Sequence, residues 1–324
     1  MNYCTYFNSD FIIYGLSLCK SLQKHSPKSS IFVLALDVVV EKVLAHLMPD
    51  INVVTLKKLE GNYTDLLTIK HSRSQIEYYW TCTPHILDYL ISVRKLSNIT
   101  YLDSDQLFFK SPKSIEEEIK KFSISILPHR FKKELEHLNI FGEFNVSWIS
   151  VLNDENAIKA LGWWRFKCLE DCSINFEKEI VGDQKYLDFF HKKFYSVHTI
   201  MNQGCGVAPW NSGCNYNVIL YHFQSLRHIN NYFFCYDHSE YKYKMSKFTL
   251  KNIYKPYLLE LVRFNKKINK SFSFKQTKKS QLKFSLDMLT TYEFIFLLNP
   301  IIFRFNLKML LRFFSKIYTK IKMA

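Results

Sequence analysis

Two aspartates one residue apart, Asp103 and Asp105, end an apolar run in the segment Tyr101-Leu102-Asp103-Ser104-Asp105. A buried strand that finishes on paired carboxylates brings hard oxygen ligands to the edge of a sheet, where a divalent ion bridging a diphosphate can be held. The plain alternative is a capped turn with two solvated acids. D-x-D alone carries little weight; its place between Ile99–Leu102 and the aromatic pair Phe108-Phe109 makes it telling. His222, in Tyr221-His222-Phe223, closes the last apolar strand. Imidazole added to two carboxylates favours manganese over magnesium, although a lone histidine there is more often a packed, hydrogen-bonded core residue. Asp183 and Gln184, after Gly182 at the start of a helix, can address sugar hydroxyls or simply cap that helix.

These residues need elements to position them. Tyr3–Phe7 is a short apolar strand, followed by Ser9 or Asp10 as a cap and a helix with Phe11, Tyr14, Leu18 and Leu22 at helical spacing. Ile31–Leu36 and Ile51–Leu56 read as buried strands, with a helix over Val39–Leu47 between them. A mostly helical stretch from Tyr63 to Leu96, bent at Pro84, precedes the Ile99–Leu102 strand. Further on come a helix over Ile115–Phe122, strands over Ser123–Leu127 and Phe144–Leu152, and a helix capped by Asp154. Last come a helix over Asp183–Phe194 and strands over Tyr195–Ile200 and Val218–Phe223. Strands alternating with helices predict an α/β fold with a mostly parallel sheet.

The chain has 324 residues, 48% of them hydrophobic, which supports a sizeable core and excludes general disorder. With only 8 Gly and 8 Pro, collagen-like and low-complexity architectures are excluded. The net charge is +15, but residues 236–324 hold 19 Lys and Arg against 5 acids, leaving the body nearly neutral. The domains are therefore read as 1–235 and a basic, mainly helical appendage, 236–324. Lys266–Lys283 reads as a polybasic linker. Pro300–Ala324 reads as a helix with Arg304, Lys308, Arg312, Lys316 and Lys320 on one arc, suited to an anionic membrane surface. The 8 cysteines contain no C-x-x-C pair and read as reduced thiols. The start lacks a basic n-region and long apolar core, so no signal peptide is expected. The expected location is cytoplasmic, peripheral on the inner face of the cytoplasmic membrane.

Nine short markers follow in order across about residues 1–230. They are Thr5-Tyr6-Phe7; Glu77-Tyr78-Tyr79-Trp80-Thr81-Cys82-Thr83-Pro84; Tyr101 to Asp105; His129-Arg130-Phe131; Phe144-Asn145-Val146; Trp163-Trp164-Arg165; Gly182 to Leu187; Ala208-Pro209-Trp210-Asn211; and Tyr221-His222-Phe223. As an ordered set they resemble bacterial nucleotide-diphospho-sugar glycosyltransferases of the GT-A fold, distantly similar to family-8 retaining enzymes. The resemblance implies a Rossmann-like, mostly parallel mixed sheet flanked by helices. It implies a manganese or magnesium ion held by Asp103, Asp105 and His222, and a nucleotide-sugar donor, UDP-sugar favoured. Asp103, Ser104 and Asp105 would meet the ribose-diphosphate, Tyr6 and Asn8 the base, Lys70 and Arg73 the diphosphate, and Asp183 and Gln184 the donor sugar. The acceptor would be a cell-surface glycan or glycolipid. The chain departs from the pattern at Asn8, where an acid is usual, and at Gln224-Ser225-Leu226-Arg227, where glycine is usual.

Two other readings are weighed. A sugar-1-phosphate nucleotidyltransferase needs a glycine-rich phosphate loop near the N-terminus, and none is present. A nucleic-acid-binding protein acting through the tail finds no matching motif in the body, so no nucleic acid partner is expected.

Overall fold

The computed structural model describes residues 1–212, 217–272, 293–298 and 301–306. The chain divides into two compact units, Met1–His222 and Phe223–Ala324.

In the first unit, apolar runs form β1 (Asn2–Phe7), β2 (Ser30–Ala35), β3 (Asn52–Thr55) and β4 (Asn98–Leu102). They are followed by β5 (Gln106–Phe108), β6 (Ile124–Pro128), β7 (Phe144–Leu152), β8 (Ile174–Asn175), β9 (Ile180–Val181), β10 (Val197–Thr199) and β11 (Leu220–His222). The helices are α1 (Ile12–His25), α2 (Val38–Leu47), α3 (Leu56–Asn62), α4 (Asp65–Ile69), α5 (Gln75–Asp88), α6 (Lys113–Ile119), α7 (Glu155–Glu170) and α8 (Phe190–Lys193). Seven strands form one mixed sheet in the order β10-β6-β7-β4-β1-β2-β3. Only β7 runs antiparallel to its neighbours. The carboxyl ends of β1, β2, β4 and β6 therefore share one edge, which receives Asn8, Asp37, Asp103 and His129. This is the expected α/β class, and this edge is where open α/β sheets bind ligands.

Local chemistry explains the elements around that edge. Ser74 and Glu77 close a reciprocal capping box at the start of α5. Pro84 lies within α5, and the helix then widens into a π turn over Tyr89–Val93. Asn8, not Ser9 or Asp10, caps the turn after β1, its Oδ1 accepting from the Phe11 amide at 3.3 Å. Asp37 ties that turn to β2: Oδ2 accepts from Ser9 N at 2.7 Å and Oδ1 from Val40 N at 2.9 Å. The expected helix over Asp183–Phe194 is instead a tight 3₁₀ turn, Lys185–Phe189, running into the four-residue α8.

The second unit begins at Phe223, upstream of the boundary read from charge. The reason is strand pairing. β12 (Arg227–His228) and β13 (Phe233–Tyr236) join β14 (Glu293–Leu298) and β15 (Ile301–Asn306) in a four-stranded antiparallel sheet. A short α9 (Lys247–Thr249) and a π turn lead into α10 (Lys255–Ser271), which buries Tyr257, Leu258, Leu261, Phe264 and Ile268. The unit is thus mixed rather than mainly helical among the described residues. The expected linker begins as helix up to Ser271, where Ile268 continues the apolar face of α10; residues 273–283 lie outside the described residues. The expected helix from Pro300 begins as strand, since Ile301, Ile302 and Phe303 are β-branched or aromatic and pair with β14. Residues 307–324 lie outside the described residues. Cys4, Cys19, Cys82, Cys168, Cys172, Cys205 and Cys235 are free and buried. Among the described residues no helix is long and apolar enough to cross a membrane.

Candidate functional site

The turn after β4 presents Asp103, Ser104 and Asp105 half-buried. β5 then pairs antiparallel with β11, setting His222 opposite Gln106 and beside Asp105. His222 Nε2 lies 3.1 Å from Asp105 Oδ1 and 3.9 Å from Asp103 Oδ2. One ligand atom from each of the three residues falls within 4.8 Å of the others. Tyr101 Oη donates to Asp103 Oδ1 at 3.0 Å.

Burial pushes the Asp103 carboxyl up to about 6, and Asp105 adds to this, while His222 and the Tyr101 hydrogen bond oppose it. Burial disfavours a charged His222, but Asp105, then Asp103, outweigh it and raise the imidazole above its ordinary value. Two crowded carboxylates and one ring nitrogen facing the same point fit a divalent cation, whose charge relieves the repulsion between the acids.

Asp183 is 2% exposed. It follows Gly182, whose φ of +54° and the Trp80 ring, 3.0 Å from where a Cβ would stand, together call for glycine. Trp164 Nε1 donates to the Asp183 carbonyl at 2.9 Å and fixes the turn. Burial pushes the Asp183 carboxyl up to about 7; a hydrogen bond from Thr83 opposes this and the nearby Asp103 adds to it. Asp183 Oδ2 has no hydrogen-bond partner among the described residues. Thr83 Oγ1 also lies 3.2 Å from Tyr6 Oη, and the Tyr6 ring sits 5.5 Å from that of Tyr101. Tyr6, Thr83 and Asp183 thus form a polar row leading from β1 past α5.

Other expected residues are committed elsewhere. Gln184 Nε2 donates to Phe141 O at 2.9 Å, and its Oε1 accepts from Val146 N at 3.4 Å, so the amide pins two backbone segments. Lys70 pairs with Glu60 at 2.6 Å. Arg73 donates to Leu169 O at 2.6 Å, and also to Cys168 O and Thr81, closing the carbonyl end of α7. Neither cation forms an ion pair with Asp103 or Asp105 among the described residues. Without a ligand, each cation is bonded to an acceptor from its own surroundings. Nothing in the sequence around Thr83 signals its role, because its partners lie at residues 6 and 183.

No protein-family model matches the chain. YfnF of Bacillus subtilis (strain 168) is 31% identical over 220 residues, covering 65% of this chain and 72% of YfnF. The chain belongs to the YfnF family. YfnD of the same organism is 28% identical over 279 residues, covering 79% of this chain and 87% of YfnD. Among solved structures, the galactosyltransferase LgtC in complex with donor and acceptor sugar analogs matches with a TM-score of 0.50 at 13% identity. The match covers 69% of this chain and 87% of LgtC. At that identity the likeness gives the fold: this YfnF-family chain has the glycosyltransferase GT-A fold.

Proposed function

We propose that the chain is a metal-dependent glycosyltransferase. It moves a sugar from a nucleotide-diphospho-sugar, a UDP-sugar by preference, to a glycan or lipid-linked acceptor with retention. The convergence of Asp103, Asp105 and His222 at the carboxyl edge of a GT-A sheet carries this reading. A manganese ion held by these three would neutralise charge on the leaving diphosphate. Ser104 in the same turn and Tyr6 and Asn8 at the end of β1 line the donor's nucleotide side. Asp183, buried and close enough to Asp103 to raise its own pKa, stands at the donor sugar. A carboxylate there favours positive charge developing at the anomeric carbon. Retention needs no strong base, because the departing phosphate oxygen can take the acceptor's proton on the same face.

Thermal unfolding checks this directly. UDP-sugar with Mn²⁺ raises the midpoint; the donor with EDTA does not. At a donor concentration about 100 times Kd the stabilisation is ~2.7 kcal/mol. No shift with any UDP-, GDP- or CMP-sugar, with or without Mn²⁺, overturns the reading.

The anionic inner face of the cytoplasmic membrane is the proposed setting of the acceptor. The support is the outer face of α10 and the turn before it: Lys251, Arg263, Lys266, Lys267 and Lys270 are exposed, opposite the apolar face that α10 buries. Exposed Phe248 lies just upstream. Each such cation is worth ~1 kcal/mol near an acidic bilayer. The full-length protein is expected to co-sediment with phosphatidylglycerol vesicles and not with neutral phosphatidylcholine. Replacing Lys266, Lys267 and Lys270 by Ser together weakens that binding by ~100-fold. Equal binding to both vesicle types, or by the triple variant, rejects it.

A further inference from the structure

We infer that Trp210, braced by Asn211, is the positioning residue that turns the His222 imidazole toward the two aspartates. The inference rests on the metal-site reading of Asp103, Asp105 and His222 and concerns what holds the third of them in place.

His222 ends a strand of three residues. Its Nε2 faces the carboxylates, but its Nδ1 has no hydrogen-bond partner among the described residues. A metal-binding histidine ordinarily has its second nitrogen bonded to a carboxylate or carbonyl, which fixes the rotation of the ring. Here an aromatic neighbour, Trp210, restricts the ring, edge-to-face with centroids 5.5 Å apart and planes at 83°.

Trp210 is itself held firmly. It is 4% exposed, and its Nε1 donates to the His129 carbonyl at 2.9 Å. Asn211 Nδ2 donates to that same carbonyl at 3.0 Å and to Gly206 O at 3.1 Å, while its Oδ1 accepts from Ala208 N at 2.9 Å. The amide of Asn211 therefore closes the turn from 206 to 211 on itself and on the end of β6. The same turn grips the backbone of His222, whose amide donates to Val207 O at 2.8 Å. Gly206, at φ +66°, seats the turn so close to β6 that a Cβ would lie 2.3 Å from Leu127 Cδ2.

The post that receives Trp210 and Asn211 is equally fixed. Asn145 Oδ1 accepts from Ser147 N at 2.8 Å, so its Nδ2 must donate to His129 Nε2, 2.9 Å away. That leaves His129 neutral, as burial also requires by pushing its pKa down to about 3. Its ring stacks on Phe131 at 4.6 Å and meets Trp210 at 5.5 Å. One clamp thus holds both the main chain and the ring of His222.

Mn²⁺ affinity of the full-length protein, measured by titration calorimetry with Mn²⁺ alone, tests this. Trp210→Leu removes the ring and is expected to weaken Mn²⁺ by ~10–100-fold. Trp210→Phe keeps an aromatic face and recovers most of that loss. Val43→Ala, a buried truncation in α2, lowers the unfolding midpoint yet leaves Mn²⁺ affinity unchanged. Unaltered affinity in a folded Trp210→Leu overturns the inference, as does an equal loss in Val43→Ala. Should Trp210→Leu fail to fold, Trp210→Phe and Asn211→Ala carry the test: the first near wild type and the second weakened supports the clamp, and both unchanged overturns it. A wild-type protein that takes up no Mn²⁺ overturns the metal reading itself, and the clamp with it.

Discussion

Asp105→Ala is expected to give a folded protein that no longer responds to Mn²⁺ and transfers sugar about 10³-fold more slowly, or slower still. Asp105 is the aspartate nearest His222, at 3.1 Å. Without it the cation loses one of two anionic ligands, and stabilisation of the leaving diphosphate falls with it. The fold should not suffer. Asp105 adds to the repulsion that keeps Asp103 hard to ionise, so removing it relieves strain in the metal-free protein. The same change removes the partner of buried His222, so the two effects oppose and the midpoint of the metal-free variant should stay near wild type. His222, which Asp105 raises more than Asp103 does, should titrate at lower pH, visible in its imidazole proton resonances. Donor turnover and thermal shift with and without Mn²⁺ decide the matter. A variant that keeps its Mn²⁺-dependent shift removes Asp105 from the site.

Much of this site can be read from the amino-acid order because strand ends announce themselves. Ile99–Leu102 is apolar throughout and stops at Asp103, and a buried strand can only stop where polar groups reach the edge of the sheet. His222 is legible for the same reason. What is not legible is pairing between distant short elements. β5 and β11 have three residues each, too few for any periodicity, yet their register is what sets His222 beside Asp105. Charge is similarly silent about partners. Lys70 and Arg73 lie just ahead of α5, and nothing in their spacing announces that Glu60 and the carbonyl end of α7 are their partners. In the C-terminal quarter the rise in basic charge is real, but β12 and β13 belong to the second sheet, so the fold changes before the charge does. The Trp210 turn is visible as a motif, whereas its task depends on a carbonyl 81 residues away.

Asp183→Asn is expected to stabilise the metal-free protein at alkaline pH while lowering transfer by ~10²–10³-fold. The argument starts from burial. In the folded chain the carboxyl is pushed from 3.8 up to about 7. Between those values the folded form holds a proton that the unfolded chain has already released. Stability from this group is therefore greatest below pH 4 and declines as pH rises toward 7. Above pH 7 the folded protein carries a buried carboxylate held by Thr83 and by its own backbone amide, and the full shift corresponds to about 4 kcal/mol at most. An uncharged amide of the same size escapes that cost. The variant's advantage should be absent at pH 4 and fully developed by pH 8, as urea unfolding at the two pH values would measure. Catalysis should move the other way. If the carboxylate supports positive charge at the anomeric carbon, wild-type turnover rises as Asp183 ionises. Bound Mn²⁺ shifts that limb below pH 7, because added positive charge favours the anion. In Asp183→Asn the limb disappears along with most of the rate. A side chain whose removal steadies the fold and disables the reaction is held there for chemistry rather than for packing. An Asp183→Asn protein that transfers sugar at the wild-type rate, or gains no stability between pH 4 and 8, would take Asp183 out of that role.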